Sequence, residues 1–122
     1  MADSDEEEDD DLNEFDKKHT VKVKVQSLRA DLLLKSAVGI ARNKIEAAFY
    51  DNRIRINGKK IAKKSQSCKI GDEIDLIKND CPTNSNHLII ARIEILATVP
   101  KEEHISVTMR RFKSLTVEKY EN

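Results

Sequence analysis

The chain has 122 residues, enough for one folded domain and too few for two well-buried ones. Charged residues make up 36% of it and aromatics 4%, with no Trp, so any core is aliphatic and small. No apolar run approaches the roughly 18 residues that a membrane-spanning helix needs, which excludes such a helix. The N-terminus carries no apolar signal core and no Arg-rich amphipathic stretch, an absence compatible with a presequence already removed. Two cysteines, Cys68 and Cys81, make no disulfide framework, so a reducing compartment is expected.

The formal net charge of zero averages two opposed segments. Residues 1–18 hold ten acids and two bases, a net charge of −8, and the remainder carries +8. The stretch 29–64 alone holds ten bases against three acids. A near-unbroken acidic run repels itself and buries little, so residues 1–18 are expected to form a disordered acidic tail. A basic body points to a polyanionic partner, of which nucleic acid is the commonest. The alternative is that the lysines only solvate the surface.

Thr20 to Gln26 alternates strictly, with Val21, Val23 and Val25 on one side, and predicts a half-buried strand. Ser27 is a candidate helix cap. Ala30, Leu33, Leu34 and Ala37 then share one helical face, with Gly39 as the stop. A second helix is predicted from Arg42 to Tyr50, with Ile45, Ala48 and Phe49 as its apolar stripe, and the short link between the two implies a helical hairpin. Arg53 to Ile56 alternates as a strand with Ile54 and Ile56 inward, which directs Arg53 and Arg55 outward. Asn57-Gly58 is a strong two-residue turn, because both residues tolerate positive φ. Glu73 to Lys78 reads as a strand, residues 80–86 as a loop, and Leu88 to Thr98 with Ile105 to Phe112 as a hairpin. Residues 113–122 carry no clear pattern.

The ordered set Arg29-x-Asp31-x-x-Leu34, Arg42-x-x-Ile45, Arg53-Ile54-x-Ile56-Asn57-Gly58 and Gly71-Asp72-x-Ile74 resembles the S4-like, or alpha-L, RNA-binding family. It departs from the family pattern at Ala30, Ala41, Ile45 and Asn52; Asn52 stands where the family has Gly and can adopt the same left-handed backbone. The runs at 39–57, 63–77 and 110–115, together with the acidic stretch ahead of them, resemble the mitochondrial transcription rescue factors of animals. The resemblance implies an α+β fold in which a helical hairpin packs on a small, mostly antiparallel sheet, with a C-terminal β-hairpin extension. On that frame the chain divides into the tail, 1–18, and one RNA-binding domain, 19–122, with an S4-like core at 27–79 and the β extension at 87–117. The resemblance also implies a matrix protein whose presequence is absent here. Its implied ligands are ribosomal and transfer RNA, and its implied setting is the large subunit of the mitochondrial ribosome. There it would rescue stalled subunits beside a release-factor-like partner, with a link to the mitochondrial transcription machinery.

A phosphate backbone needs spread donors, bidentate Arg and point-charge Lys among them. The expected RNA-facing set is Arg29, Lys35 and Ser36 from the first helix and Arg42, Asn43 and Lys44 from the start of the second. Arg53, Arg55, Asn57, Lys59, Lys60, Lys63 and Lys64 extend it. With aromatics this scarce, backbone and shape recognition of structured RNA is expected rather than base stacking. Each feature has a plainer alternative. Arg29 and Asp31 can form a local ion pair, Arg55 can pair with an acid on a neighbouring strand, and the lysines after Gly58 can be a solvated loop. Arg110, Arg111 and Lys113 form either a second RNA contact or the polar face of a strand. The acidic tail competes with RNA, docks on a partner, or is a plain leader; Ser4 before Asp5 and Glu6 suits an acid-directed kinase. Catalysis is not indicated. The three histidines are scattered, Cys68 and Cys81 lack zinc spacing, and no Gly-rich phosphate loop is present, so no metal or cofactor is expected. A monomeric, noncatalytic RNA-binding factor is the leading expectation, against a protein–protein adaptor or a DNA-directed transcription factor.

Overall fold

A computed structural model of the protein describes residues 19–120; the acidic tail at 1–18 lies outside the described residues. In chain order the elements are β1 (Thr20–Val25), α1 (Ala30–Val38), α2 (Arg42–Tyr50), β2 (Ile54–Ile56), β3 (Lys59–Lys60), β4 (Glu73–Asp80), β5 (His87–Pro100) and β6 (Ile105–Glu118). The strands form one sheet in the order β1-β6-β5-β4-β2-β3, and every neighbouring pair is antiparallel. This is the expected α+β arrangement of a helical hairpin against an antiparallel sheet.

The valines of β1 meet apolar partners on one face, Val21 opposite Met109 and Val23 opposite Val107, while Lys22 and Lys24 stay exposed. α1 presses Ala30, Leu33, Leu34 and Ala37 onto that face, all 2% exposed or less. Ile54, Ile74, Ile93 and Ile95 complete the layer. The core is as aliphatic as the composition required, with Met109 in it and Phe49 only at its margin.

Each helix ends for a local reason. Gly39 takes φ 78° and sends its N–H to the Lys35 carbonyl at 3.1 Å, closing α1. After α2, Asn52 takes φ 60°, the left-handed geometry that Gly would supply. The start of α1 differs from expectation. Arg29, not Ser27, occupies the cap position, and its side chain makes no cap hydrogen bond. The neighbouring loop does that work instead: the Ala30 N–H donates to the Gln66 carbonyl at 2.9 Å and the Asp31 N–H to the Lys64 carbonyl at 3.1 Å.

Asn57 at φ 54° and Gly58 at φ 83° form the turn between β2 and β3, with Ile56 paired to Lys59. The largest extension beyond the sequence reading is at the C-terminus, where β6 runs on to Glu118. Leu88 opposite Val117 and Ile90 opposite Leu115 give this end its own apolar pairs. The β5–β6 hairpin extends the sheet through β4 on one side and carries β1 on the other.

Candidate nucleic-acid interface

Three segments meet at the open side of the helical hairpin. α1 brings Arg29 and Lys35, α2 brings Arg42, and the loop after β3 brings Lys64. The loop is held there by the backbone bonds at Ala30 and Asp31, by a bridge between Arg29 and Ser67, and by the Cys68 N–H on the Leu28 carbonyl at 2.7 Å. Together they line a groove of about 330 Å³ with Leu32 and Ile45 as apolar lining and Asp31 and Glu46 as the acidic members. Four cations against two carboxylates leave the groove positive.

The carboxylates orient the cations. Arg29 grips Asp31 with both ends of its fork, Nη2 to Oδ2 at 2.8 Å and Nε to Oδ1 at 3.2 Å. Asp31 also accepts the Leu32 N–H at 2.8 Å, so the local ion pair, the plainer alternative for these two residues, does order the helix start. The Arg29 side chain still keeps 39% exposure. Lys64 donates to Glu46 across the groove wall. That hydrogen bond holds the Lys64 ammonium above its ordinary pKa and the Glu46 carboxyl below its own.

The start of α2 is electrostatically mismatched. Its cap position is Ala41, no side chain caps it, and its first turn holds Arg42 and Lys44 but no acid. Helix N-termini carry partial positive charge and favour anions. The Lys44 and Ile45 N–H groups turn back to the Ala41 carbonyl, at 3.0 and 3.1 Å. Two exposed cations beside a positive helix end form a poor self-contained helix and a good seat for a phosphate.

Ser36, Asn43, Lys44 and Lys63 are exposed on α1, α2 and the loop but do not line the groove, and Lys59 and Lys60 are exposed on edge strand β3. Arg53 is exposed but occupied, with Nη1 on the Lys78 carbonyl at 3.1 Å and Nε 3.3 Å from Asp51. Asn57 is not an outward donor. Its amide nitrogen donates to Asp72 Oδ1 and its oxygen accepts the Glu73 N–H, both at 3.0 Å, so the side chain pins the β2–β3 turn to β4.

Arg55 corrects the sequence reading most sharply. Alternation does place it opposite Ile54 and Ile56, but that face of the sheet is covered, and Arg55 is only 7% exposed. Its guanidinium lies 4.8 Å from the Tyr120 ring centroid, and in register it stands opposite Asp75. Asp75, 1% exposed, takes both ends of Arg92 at 2.8 and 3.0 Å and the Tyr120 hydroxyl at 2.6 Å. The expected cluster Arg110, Arg111 and Lys113 is also dispersed. Successive strand residues point to opposite faces. Arg110 pairs with Glu94 at 2.9 Å, whereas Arg111 donates to the Ala37 carbonyl at 2.8 Å and ties the end of α1 to the sheet. Lys113 is exposed, and its carbonyl accepts from Lys78 at 3.0 Å.

Sequence reasoning missed Glu46 and Tyr50 as neighbours of the groove. The spacing Arg42 to Glu46, one helical turn, is the available signal for Glu46.

Comparison with known proteins places this arrangement in context. The family model described as the C-terminal domain of mitochondrial transcription rescue factor 1 matches residues 18–119. The chain is 36% identical over 97 residues to mitochondrial transcription rescue factor 1 of Mus musculus, and 35% identical over 97 residues to that of Homo sapiens. Both alignments cover 78% of this chain and 40% of the relative, so the chain spans about two fifths of the length of these curated relatives.

Proposed function

The chain belongs to the family defined by the C-terminal domain of mitochondrial transcription rescue factor 1, and from that premise we propose that it is a noncatalytic RNA-binding factor of the mitochondrial matrix. Its ligand is structured RNA, ribosomal or transfer, held by the groove between α1, α2 and the loop after β3. One observation carries this reading. Arg29, Lys35, Arg42 and Lys64 converge from three segments on one groove, beside a helix start that has cations where stability asks for an acid.

The chemistry follows from the parts. A phosphate entering the groove meets point-charge lysines, an Arg already held in plane by Asp31, and the N-terminal end of α2. It also displaces Glu46 from Lys64, so part of the charge interaction is an exchange of partners rather than a new pair. Such contacts position a folded backbone without reading its sequence. The names of the relatives support a mitochondrial setting and a part in sustaining transcription. Work at the large ribosomal subunit with a release-factor-like partner is the finer form of the same proposal.

The test is competition. A fluorescent folded transfer RNA bound by the intact chain is challenged with unlabelled transfer RNA, duplex RNA and duplex DNA. Displacement by the RNAs at concentrations well below the DNA is the expected result. Equal displacement by DNA would favour the DNA-directed reading, and no binding at moderate salt would overturn the RNA reading.

A further inference from the structure

Tyr50 closes α2 with 71% of its surface exposed, ahead of Ile70 and Val99 among the exposed large apolar residues described. The fold gives it no burial to justify a ring at that place, since its neighbour Phe49 is the one that packs against the core. Phe49 instead meets Tyr50 edge-on, with centroids 5.1 Å apart and planes at 69°, which orients the Tyr50 ring without covering it. Lys64 lies over one face of the ring, 5.9 Å from its centroid, and the same ammonium pairs with Glu46 in the groove wall. The exposed ring is therefore one side chain away from the proposed phosphate seat.

Resting on the RNA reading above, we propose that Tyr50 is a stacking platform for one unpaired base that adjoins the phosphate held in the groove. The ligand is then folded or duplex RNA with a single-stranded flank, and a uniform duplex is a poorer one. Bases inside an A-form helix are stacked on each other and present no free face, whereas a flanking base does. A ring with a cation over one face offers the other to such a base whatever its identity, because every base has a flat π surface. Lys64 then covers one face of the ring and turns its charge to the phosphate, leaving the opposite face for the base.

The experiment uses two RNAs with the intact chain: a blunt duplex, and the same duplex with a short overhang carrying 2-aminopurine. Affinity is read by anisotropy and stacking by 2-aminopurine quenching, for the native chain, Tyr50→Phe and Tyr50→Ala. The native chain and Tyr50→Phe should prefer the overhang RNA and quench its fluorescence. Tyr50→Ala should lose quenching and bind the overhang RNA about tenfold more weakly, with blunt-duplex affinity unchanged. Equal affinity of the native chain for both RNAs, or equal weakening on both in Tyr50→Ala, would overturn the platform while leaving the groove in place. Failure of the native chain to bind either RNA would overturn the groove reading itself, and the platform with it.

Discussion

Lys44 offers a test of the mismatch at α2. It stands in the first turn of a helix that has no side-chain cap and no acid in that turn, and it is exposed. A charge at a helix end is worth about 0.3–1 kcal/mol at low ionic strength, here with the unfavourable sign. Replacing Lys by Ala removes that cost and adds a few tenths of a kcal/mol, roughly, in helix propensity. The sum, about 0.5–1.3 kcal/mol, should raise Tm by roughly 2–10 °C for a domain of this size. Lys44→Glu should raise it further, since it places an anion at the positive end. Thermal melts at low salt and at 1 M salt check this. The gain should shrink at high salt, where screening acts over about 3 Å, and RNA affinity should fall in both variants. A Tm that stays level or drops in Lys44→Ala at low salt would refute the mismatch, and with it the argument that this helix start is shaped for a ligand rather than for stability.

Asp75→Ala should destabilise the domain by about 3 kcal/mol in urea unfolding, because it strips the bidentate partner from Arg92 and the acceptor from Tyr120 on a covered face. Asn57→Ala should cost about 2 kcal/mol, from the missing side-chain hydrogen bonds and a left-handed backbone at φ 54°. The same variant should alter the acid limb of stability. Burial pushes the Asp72 carboxyl up, but hydrogen bonds from the Asn57 amide and the Lys69 N–H outweigh it and hold its pKa below the ordinary 3.8. The stability that this contributes is present above pH 3.8 and disappears as pH falls through the lowered value, so acid melts of Asn57→Ala should show a shallower decline there. Thiol labelling at pH 8 should modify Cys81 quickly, since its hydrogen bond with Thr83 lowers its pKa. Cys68, buried and pushed up to about 11, should react only on unfolding, and fast labelling of both would contradict the packing.

The local signals in the sequence carry a long way. The bounds of α2, the stop at Gly39, the left-handed Asn52 and the Asn57-Gly58 turn all follow from residue types whose backbone preferences are strong. The family indicated by the runs at 39–57, 63–77 and 110–115 is the one whose model matches the chain. What is not legible depends on the second face of the sheet. Arg55 reads as an outward residue on any alternating strand, yet it is buried, and the Tyr120 ring returns across that face to meet its guanidinium. Arg110 and Arg111 read as a cluster in sequence, but strand pleating separates them and each meets a partner from a distant element. Within the site, Arg29, Lys35, Arg42 and Lys64 are all legible from charge and motif. Their meeting in one groove depends on the loop after β3 bonding to the first residues of α1, for which the residue pattern gives no sign.

Under the proposed function, RNA phosphate sits in the groove at the start of α2. The measurement that tests it most directly is the salt dependence of transfer RNA affinity, taken on the intact chain and on the double variant Arg42→Ala/Lys44→Ala. The log–log slope should flatten by about 0.7–0.9 for each phosphate that the variant no longer neutralises, with affinity falling alongside. A double variant with native affinity and native slope would contradict the account and move the RNA, if it binds, to another face.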